Sequence, residues 1–327
     1  MRLGELFKGN IPVVLAPMAG VADLPFRELV CSFGASATVS EMISSEALVR
    51  DSRKTYRMLA CSERSNLIKI IQIMGADPKN MAESAIINET LGADVIDINM
   101  GCPVRKITSN NSGAALMKDE NLAMKIVESV VKSVKIPVSV KMRLGWDAEH
   151  VNFLNLAKKF ENVGAQMLVI HCRTRNQMYC GKANWSAISE LRDVLKIPYF
   201  CNGDIKSSDD AIRAIGESRA DGVMIGRGTL GKPWLLKQIM EFLRFKKYTP
   251  APSPEDQYKI IVQHFQNVLD FYGESAGIHI FRKHFCWYST GLPGSSIFRK
   301  TINEVDDLSF IKKCLEDFYS GCFGAIL

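Results

Sequence analysis

Residues 92–103, GADVIDINMGCP, decide how the rest of the chain is read. Gly92-Ala93-Asp94 has the character of a helix ending and a strand beginning. Val95, Ile96 and Ile98 then make a short apolar strand. Gly101 and Pro103 break the ladder on either side of Cys102, since proline has no N–H to give and glycine weakens a strand. The Cys102 thiol therefore belongs on a turn at the strand's end, with the Asn99 amide three residues before it. An amide and a thiol so placed suit a site that holds something planar and gives it a proton.

Outward from that strand the pattern repeats. Apolar runs at 11–18, 37–42, 67–75, 94–101, 136–143, 166–173, 197–203 and 221–227 make eight strand candidates. Helical segments at 78–91, 121–134, 151–163, 185–195 and 208–217 lie between them. Ile136-Pro137 and Ile197-Pro198 each mark a helix stop followed directly by a strand start. Strands apolar on both faces and separated by amphipathic helices imply a buried parallel sheet. Eight such units favour a closed (β/α)8 TIM barrel over an open doubly wound sheet, whose GxGxxG signature is missing where the first strand ends in APMAGVAD. The barrel is expected over residues 1–245. KKYTPAPSPEDQ (246–257) then marks a Pro/Ser-rich linker, taken as 246–254. From 255 to 327, Tyr258, Ile261, Val262, Phe265, Val268, Leu269 and Tyr272 open a helical pattern, continued at 277–290, 295–303 and 306–320. That predicts a small C-terminal helical-bundle domain.

Composition sets the class. At 327 residues, 47% hydrophobic and 23% charged, the chain is an ordinary globular protein able to bury a large core. No apolar run has the length of a membrane span, and MRLGELFKGN lacks the apolar stretch of a signal peptide, so a cytoplasmic protein with no membrane association is expected. The nine cysteines show no C-x-x-C pair and no zinc-like spacing, so no metal site is expected. The net charge of +6 is compatible with a polyanionic partner. The excess is spread, with 29 basic against 25 acidic residues before Lys232 and 12 against 10 from there on, so any basic surface must be made by folding.

In a barrel, chemistry gathers at the C-terminal ends of the strands. The residues there are Pro17-Met18-Ala19, Glu41, Gln72, Asn99 with Cys102, Lys141 with Arg143, His171 with Arg173, Asn202-Gly203-Asp204 and Gly226-Arg227. Polar groups at so many strand ends together imply a lined pocket. The Asn202-Gly203-Asp204 and Gly226-Arg227-Gly228 turns follow the last two strands, where barrels commonly hold a phosphate on backbone N–H groups, and Arg227 adds a fixed charge. Lys141 admits three readings: a solvated strand end, a Schiff-base amine, or a positive charge beside an electron-rich cofactor ring. His171 is either a satisfied core histidine or a site residue. Cys102 is either a buried inert thiol or, protonated at neutral pH, an acid as well as a nucleophile. The loop HCRTRNQMYCGKANW, 171–185, carries Arg173, Arg175, Gln177 and Tyr179, which read as a solvated loop or as contacts to an RNA backbone and its bases. Arg105-Lys106 after the cysteine turn, and Arg282-Lys283-His284 with Trp287-Tyr288 in the tail, have the same basic and aromatic character.

In order along the chain, APMAGVADLPFR (16–27), QIMGADP (72–78), DINMGCP (97–103), SGAAL (112–116), VKMRLGW (140–146), HCRTRNQMYCGKANW (171–185), NGDI (202–205), GRG (226–228) and FRKHFCWYSTGLPG (281–294) match a known family. The chain resembles the tRNA-dihydrouridine synthases, most closely the bacterial B-type branch. The resemblance implies a flavin-binding barrel followed by a helical tRNA-binding domain. It implies that Pro17, Met18, Ala19, Gln72, Lys141, His171, Asn202, Gly203, Asp204, Gly226 and Arg227 contact FMN. It makes Cys102 the catalytic proton donor to C5 of a uracil that receives hydride at C6, with Asn99 and Arg143 holding that base. NADPH as reductant rests on the family alone. Arg173 and Arg175 are read as tRNA contacts; no protein partner is implied. The chain departs from the family at Ala22, usually threonine, Cys172, usually glycine, and Asn184, usually aspartate. A small-molecule flavoenzyme of the dihydroorotate dehydrogenase kind and a non-catalytic RNA-binding protein are the competing readings.

Overall fold

The computed structural model describes residues 11–50 and 68–324. The charged start at 1–10, Leu67 at the head of the third strand candidate and the last three residues of the tail lie outside the described residues. The strand read from residues 94–101 is Val95–Met100, and its neighbours follow the same alternation. In chain order the strands are β1 (Val13–Leu15), β2 (Ala37–Val39), the two-residue β3 (Ile43–Ser44), β4 (Lys69–Met74), β5 (Val95–Met100), β6 (Val138–Arg143), β7 (Met167–His171), β8 (Tyr199–Asn202) and β9 (Gly222–Ile225). All pair in parallel. The ring β1-β2-β4-β5-β6-β7-β8-β9 closes when β9 pairs with β1, giving an eight-stranded TIM barrel; β3 is a stub beside β4. The expected strand at 37–42 therefore stops at Val39, and Glu41 lies in the connection to the stub.

Period-two alternation sorts each strand onto two apolar layers. Val95 packs inside the barrel with Val14, Ala16, Val39, Ile70, Val169, Phe200 and Met224. Ile96, Ile98 and Met100 face the surrounding helices and join the larger outer core. By the same alternation Asp97 and Asn99 point inward, above Val95. The interior is thus apolar low down and polar toward the C-terminal ends of the strands, where Gln72, Ser139, Lys141, Arg143, His171 and Asn202 are also buried.

Helices Pro78–Thr90, Glu120–Ser133, Phe153–Asn162 and Ser208–Ser218 lie close to their expected places. The single helix expected at 185–195 is instead a 3-10 turn, Ser186–Ile188, followed by one turn of helix, Leu191–Val194. Trp185 explains the break: its indole N–H donates to the Gly203 carbonyl at 2.8 Å, which anchors the segment to the barrel rim. Past Phe245, helices Pro254–Tyr272, Glu274–Tyr288, Ser295–Glu304 and Leu308–Gly324 surround an aromatic core of Phe265, Phe281, Phe285, Phe298 and Tyr319, with Trp234 reaching in from the barrel side. Phe26, on barrel helix Leu24–Ser32, meets His264 and His284 of the tail at ring separations of 5.5 and 5.7 Å. Among the described residues no helix is long and apolar enough to cross a membrane.

Candidate active site

Strand ends converge on one cavity of about 370 Å³ at the barrel mouth. Its lining includes Pro17, Met18, Ala19, Gln72, Asn99, Cys102, Lys141, Arg143, His171, Asn202, Gly203, Asp204, Gly226 and Arg227. The volume falls in the range of pockets that bury small organic ligands, roughly 300–1,000 Å³. In the ring order β5 stands opposite β9, so the Cys102 turn faces the Gly226-Arg227-Gly228 turn across the mouth.

The cysteine turn is held by a chain of hydrogen bonds that starts in the barrel interior. The Asn99 carbonyl oxygen accepts from the backbone N–H groups of Gly101 and Cys102 at 3.1 and 3.0 Å. Its NH2 group donates to Gln72 Oε1 at 2.7 Å. Gln72 Nε2 donates in turn to Asp97 Oδ2 at 2.6 Å, and Ser139 Oγ donates to Asp97 Oδ1 at 2.6 Å. A carboxylate can only accept, so Asp97 fixes which way the Gln72 amide points, and through it the Asn99 amide. Burial pushes the Asp97 carboxyl up to about 6, although Ser139, Gln72 and Lys141 each pull it down. Behind the turn, the Ala114 N–H donates to the Cys102 carbonyl at 3.0 Å. A Cβ on Gly113 would stand 2.8 Å from that carbonyl oxygen and 2.9 Å from Ile107, and Gly113 has φ +62°, so only glycine fits. Burial raises the Cys102 thiol above its ordinary range, against the opposing pull of Val104 N–H, Arg143 and Lys141. The thiol is therefore protonated at neutral pH and able to act as an acid.

Lys141 Nζ donates to Asn202 Oδ1 at 3.1 Å, and Asn202 Nδ2 donates to the Met224 carbonyl at 2.7 Å. Burial, then the neighbouring Arg143 charge, lower Lys141 to about 8, and Asp97 opposes them. The amine keeps its charge at pH 7 only by a modest margin. His171 is pushed well below its ordinary value by burial and by the charges of Lys141, Arg143, Arg173 and Arg227. Its ring is neutral, and because a guanidinium only donates, Nε2 accepts from Arg173 Nη1 at 3.4 Å.

The turns after β8 and β9 are built for close backbone approach. Gly203 has φ +120° and Asp204 φ +57°, and consecutive residues of that kind aim N–H groups into a concavity suited to an anion. A Cβ on Gly203 would meet Ala183 at 2.9 Å; one on Gly228 would meet the Ile205 carbonyl at 2.5 Å. The Asp204 carboxylate would oppose an anion there, but it is tied down, accepting from Arg173 Nη2 at 2.5 Å and from Ala183 N–H at 2.8 Å. Burial lifts that carboxyl; Arg173, Ala183 and Arg227 outweigh it and hold it below its usual range. Arg227 is half exposed, lies over the Tyr179 ring at 4.8 Å and stays 3.6 Å from Asp204. A backbone cradle with a half-exposed guanidinium at its edge, beside a polar floor of Gln72, Lys141, His171 and Asn202, fits a phosphorylated flavin.

Of the three arginines expected to contact substrate, Arg173 is placed differently from its sequence reading. Arg173 is not an RNA contact: its side chain is 1% exposed and donates to the carbonyls of Cys180 and Gly181 and to Asp204. Arg143 does line the cavity, but its Nε donates to the Gly101 carbonyl at 2.7 Å and its Nη1 to the Thr174 and Met178 carbonyls at 2.8 and 2.9 Å. It thereby clamps the cysteine turn to the 174–178 loop. Arg175 lies outside the cavity lining, with its guanidinium 4.5 Å from the Trp146 ring, which Lys118 also approaches at 4.8 Å. In the tail, Arg282 pairs with Asp306 at 2.7 Å and His284 is buried against Phe26, so neither is an open surface cation.

Asp97, Ser139, Gly113 and Tyr179 are site residues that motif reading passed over or left unassigned. Asp97 was detectable, since it shares the inward face with Asn99 two residues on. Of the departures, Cys172 is fully buried with its sulfur 3.6 Å from that of Cys201, Ala22 is fully buried, and the Asn184 side chain accepts from Ala187 N–H and Ser186 Oγ. None of the three touches the cysteine turn.

Known proteins match the chain along most of its length. The dihydrouridine synthase family profile matches residues 14–320. A probable tRNA-dihydrouridine synthase of Rickettsia bellii is 47% identical over 316 residues, 95% of this chain and 97% of that protein. The tRNA-dihydrouridine synthase B of Pseudomonas aeruginosa is 41% identical over 308 residues, 94% of this chain and 92% of that one. Among solved structures, a 2-naphthoyl-CoA reductase complex superposes with a TM-score of 0.57 at 12% identity, over 70% of this chain and 50% of that one. The 6-hydroxypseudooxynicotine amine oxidase of Pseudomonas geniculata does so with 0.54 at 13%, over 75% and 50%. At such identities these two likenesses speak for the barrel alone.

Proposed function

The chain belongs to the dihydrouridine synthase family, and from that premise we propose that it reduces uridines in tRNA to 5,6-dihydrouridine, with FMN as its flavin and NADPH as reductant. The observation that carries the reading is the Cys102 turn, pinned by Asn99 and facing the glycine turns after β8 and β9 across one cavity. FMN, when bound and reduced, supplies the hydride that uracil C6 receives. With NADPH as the source of its electrons, the chain's own residues bind, orient and protonate.

Asn202-Gly203-Asp204 and Gly226-Arg227-Gly228 hold the phosphate end, and Pro17, Met18 and Ala19 form the rim beside it. Gln72, Lys141 and His171 would contact the ring. The Lys141 ammonium offsets negative charge there, and neutral His171 adds none of its own. With C6 reduced, negative charge spreads over C5 and O4 of the base, and Cys102 delivers the proton to C5. Asn99 and Arg143 border the space where the base sits. Arg143 already commits three N–H donors to carbonyls, so its part is first to fix the cysteine turn and second to present charge to O4.

The base must leave the tRNA stack to reach this mouth, as in other enzymes that work on a nucleobase. In this reading residues 1–245 are the catalytic barrel, 246–254 the linker and 255–327 the tRNA-binding tail, with Arg175 among the backbone contacts and the cytoplasm the place of action. The test is mass spectrometry of unmodified tRNA incubated with the protein, FMN and NADPH. A gain of two hydrogens at a mapped uridine is expected; a tRNA that stays unchanged while the protein holds flavin refutes the assignment.

A further inference from the structure

The stretch after β1 forms the cavity rim: Met18, Ala19 and Val21 line it, and the N–H groups of Val21 and Ala22 both donate to the Met18 carbonyl in a tight turn. The peptide at the apex of this turn, Gly20, has φ +75°. Its two ends are gripped from different parts of the chain. The Gly20 N–H donates to Glu41, at the end of β2, and the Gly20 carbonyl accepts from the ammonium of Lys283, on tail helix Glu274–Tyr288. The turn's exit is held as well. Asp23 caps helix Leu24–Ser32 by accepting from Phe26 N–H at 3.0 Å, and its carboxyl is also bonded to Tyr272, the last residue of tail helix Pro254–Tyr272.

Lys283 is placed for this contact. Asp23 and Glu41 are the charges that favour its ammonium, while burial works against it. The helix carrying it is seated on the barrel. Its next residue, His284, packs on Phe26, and a Cβ on Gly231 would come within 2.4 Å of the Trp287 carbonyl, so barrel and tail backbones meet there without room for a side chain.

We propose that Lys283 is a positioning residue through which the tail completes the flavin pocket: by holding the Gly20 carbonyl opposite Glu41 it fixes the Met18–Val21 rim. On this account Lys283 serves the cofactor rim, while Arg282 is paired with Asp306 and His284 packs on Phe26. Because coupling between two binding events is reciprocal, whatever seats the tail tightens the rim, and flavin in the pocket steadies the tail. The inference rests on the proposed function in one respect, that the cavity holds a flavin.

The experiment is FMN titration of the flavin-stripped, full-length protein by fluorescence quenching, for the wild type, Lys283→Met, Lys283→Arg and Glu41→Met. Affinity of the flavin-free proteins for tRNA is measured alongside. Lys283→Met is expected to weaken FMN about tenfold, the scale of one charge-assisted hydrogen bond at a partly exposed carbonyl, with Lys283→Arg recovering most of it. Affinity for tRNA should change less than twofold. Glu41→Met frees the Gly20 N–H without altering a tail residue, and it also removes a charge that favours the Lys283 ammonium, so it must show at least the same FMN loss even if Lys283→Met disturbs tail folding. Wild-type FMN affinity in either Lys283→Met or Glu41→Met, or a loss confined to tRNA, overturns the proposal. Failure of the wild type itself to bind FMN would instead refute the functional reading on which it rests.

Discussion

Replacing Asp97 by alanine and by asparagine should have opposite consequences for stability. Alanine leaves Gln72 Nε2 and Ser139 Oγ without the acceptor they share inside the barrel. Each buried polar group left unmet costs about 1–3 kcal/mol, so the loss should be about 2–6 kcal/mol. Asparagine keeps an oxygen for Gln72, and its NH2 group can donate to Ser139, whose hydroxyl turns to accept. It also removes a charge whose burial the fold opposes. Folding raises the Asp97 carboxyl from 3.8 to about 6, so between those values the folded protein binds more protons than the unfolded chain. Stability from this group therefore falls as pH rises through that window and stays reduced above it. The size is about 3 kcal/mol, at about 1.4 kcal/mol for each pH unit. Urea unfolding of both proteins at pH 4 and pH 7.5 measures it: Asp97→Asn should gain about 3 kcal/mol on the wild type between the two. Activity should show why the carboxylate is there. Without it Lys141 loses the charge that favours its ammonium, and the alkaline fall in turnover should move to lower pH. A gap between wild type and Asp97→Asn that is the same at both pH values, or an alanine variant as stable as the asparagine one, would refute this account.

Gly113→Ala should lower stability by about 1–3 kcal/mol through strain at φ +62° and its clash with the Cys102 carbonyl, and should cut turnover more than flavin binding; denaturation and FMN titration separate the two. Arg173→Met breaks a buried ion pair and should cost about 3–5 kcal/mol without altering the salt dependence of tRNA binding, whereas Arg175→Met should leave stability nearly unchanged and reduce the slope of log affinity against log salt by about one. Arg227→Ala should weaken FMN about tenfold and leave riboflavin, which lacks the phosphate, unaffected in a paired fluorescence titration.

The barrel was legible because each strand is apolar on both faces, and helix-forming stretches of fairly regular length separate them. The anion cradle was legible for a related reason: glycines at the ends of the last two strands have few other uses. What escaped the sequence depended on contacts between distant segments. Arg173 read as a solvated or RNA-contacting cation, and Arg143 simply as a group holding the base, because nothing local shows that the carbonyls of residues 174–181 fold back over them. Lys283 read as an RNA contact because the Gly20 carbonyl that receives it lies 263 positions away. The helix expected at 185–195 failed because Trp185 spends its N–H on the Gly203 carbonyl across the rim. Asp97 was passed over in the apolar strand; only the inward face it shares with Asn99 marks it as part of the candidate site.

The most direct measurement is the rate at which unmodified tRNA reoxidises the reduced flavin in a single turnover, followed by absorbance, for the wild type and Cys102→Ala. A positioned general acid contributes roughly 100- to 10,000-fold to a rate, so the variant should bind FMN as the wild type does and react slower by that factor. A Cys102→Ala protein that holds flavin and reduces tRNA at the wild-type rate would contradict the claim that this thiol completes the reaction.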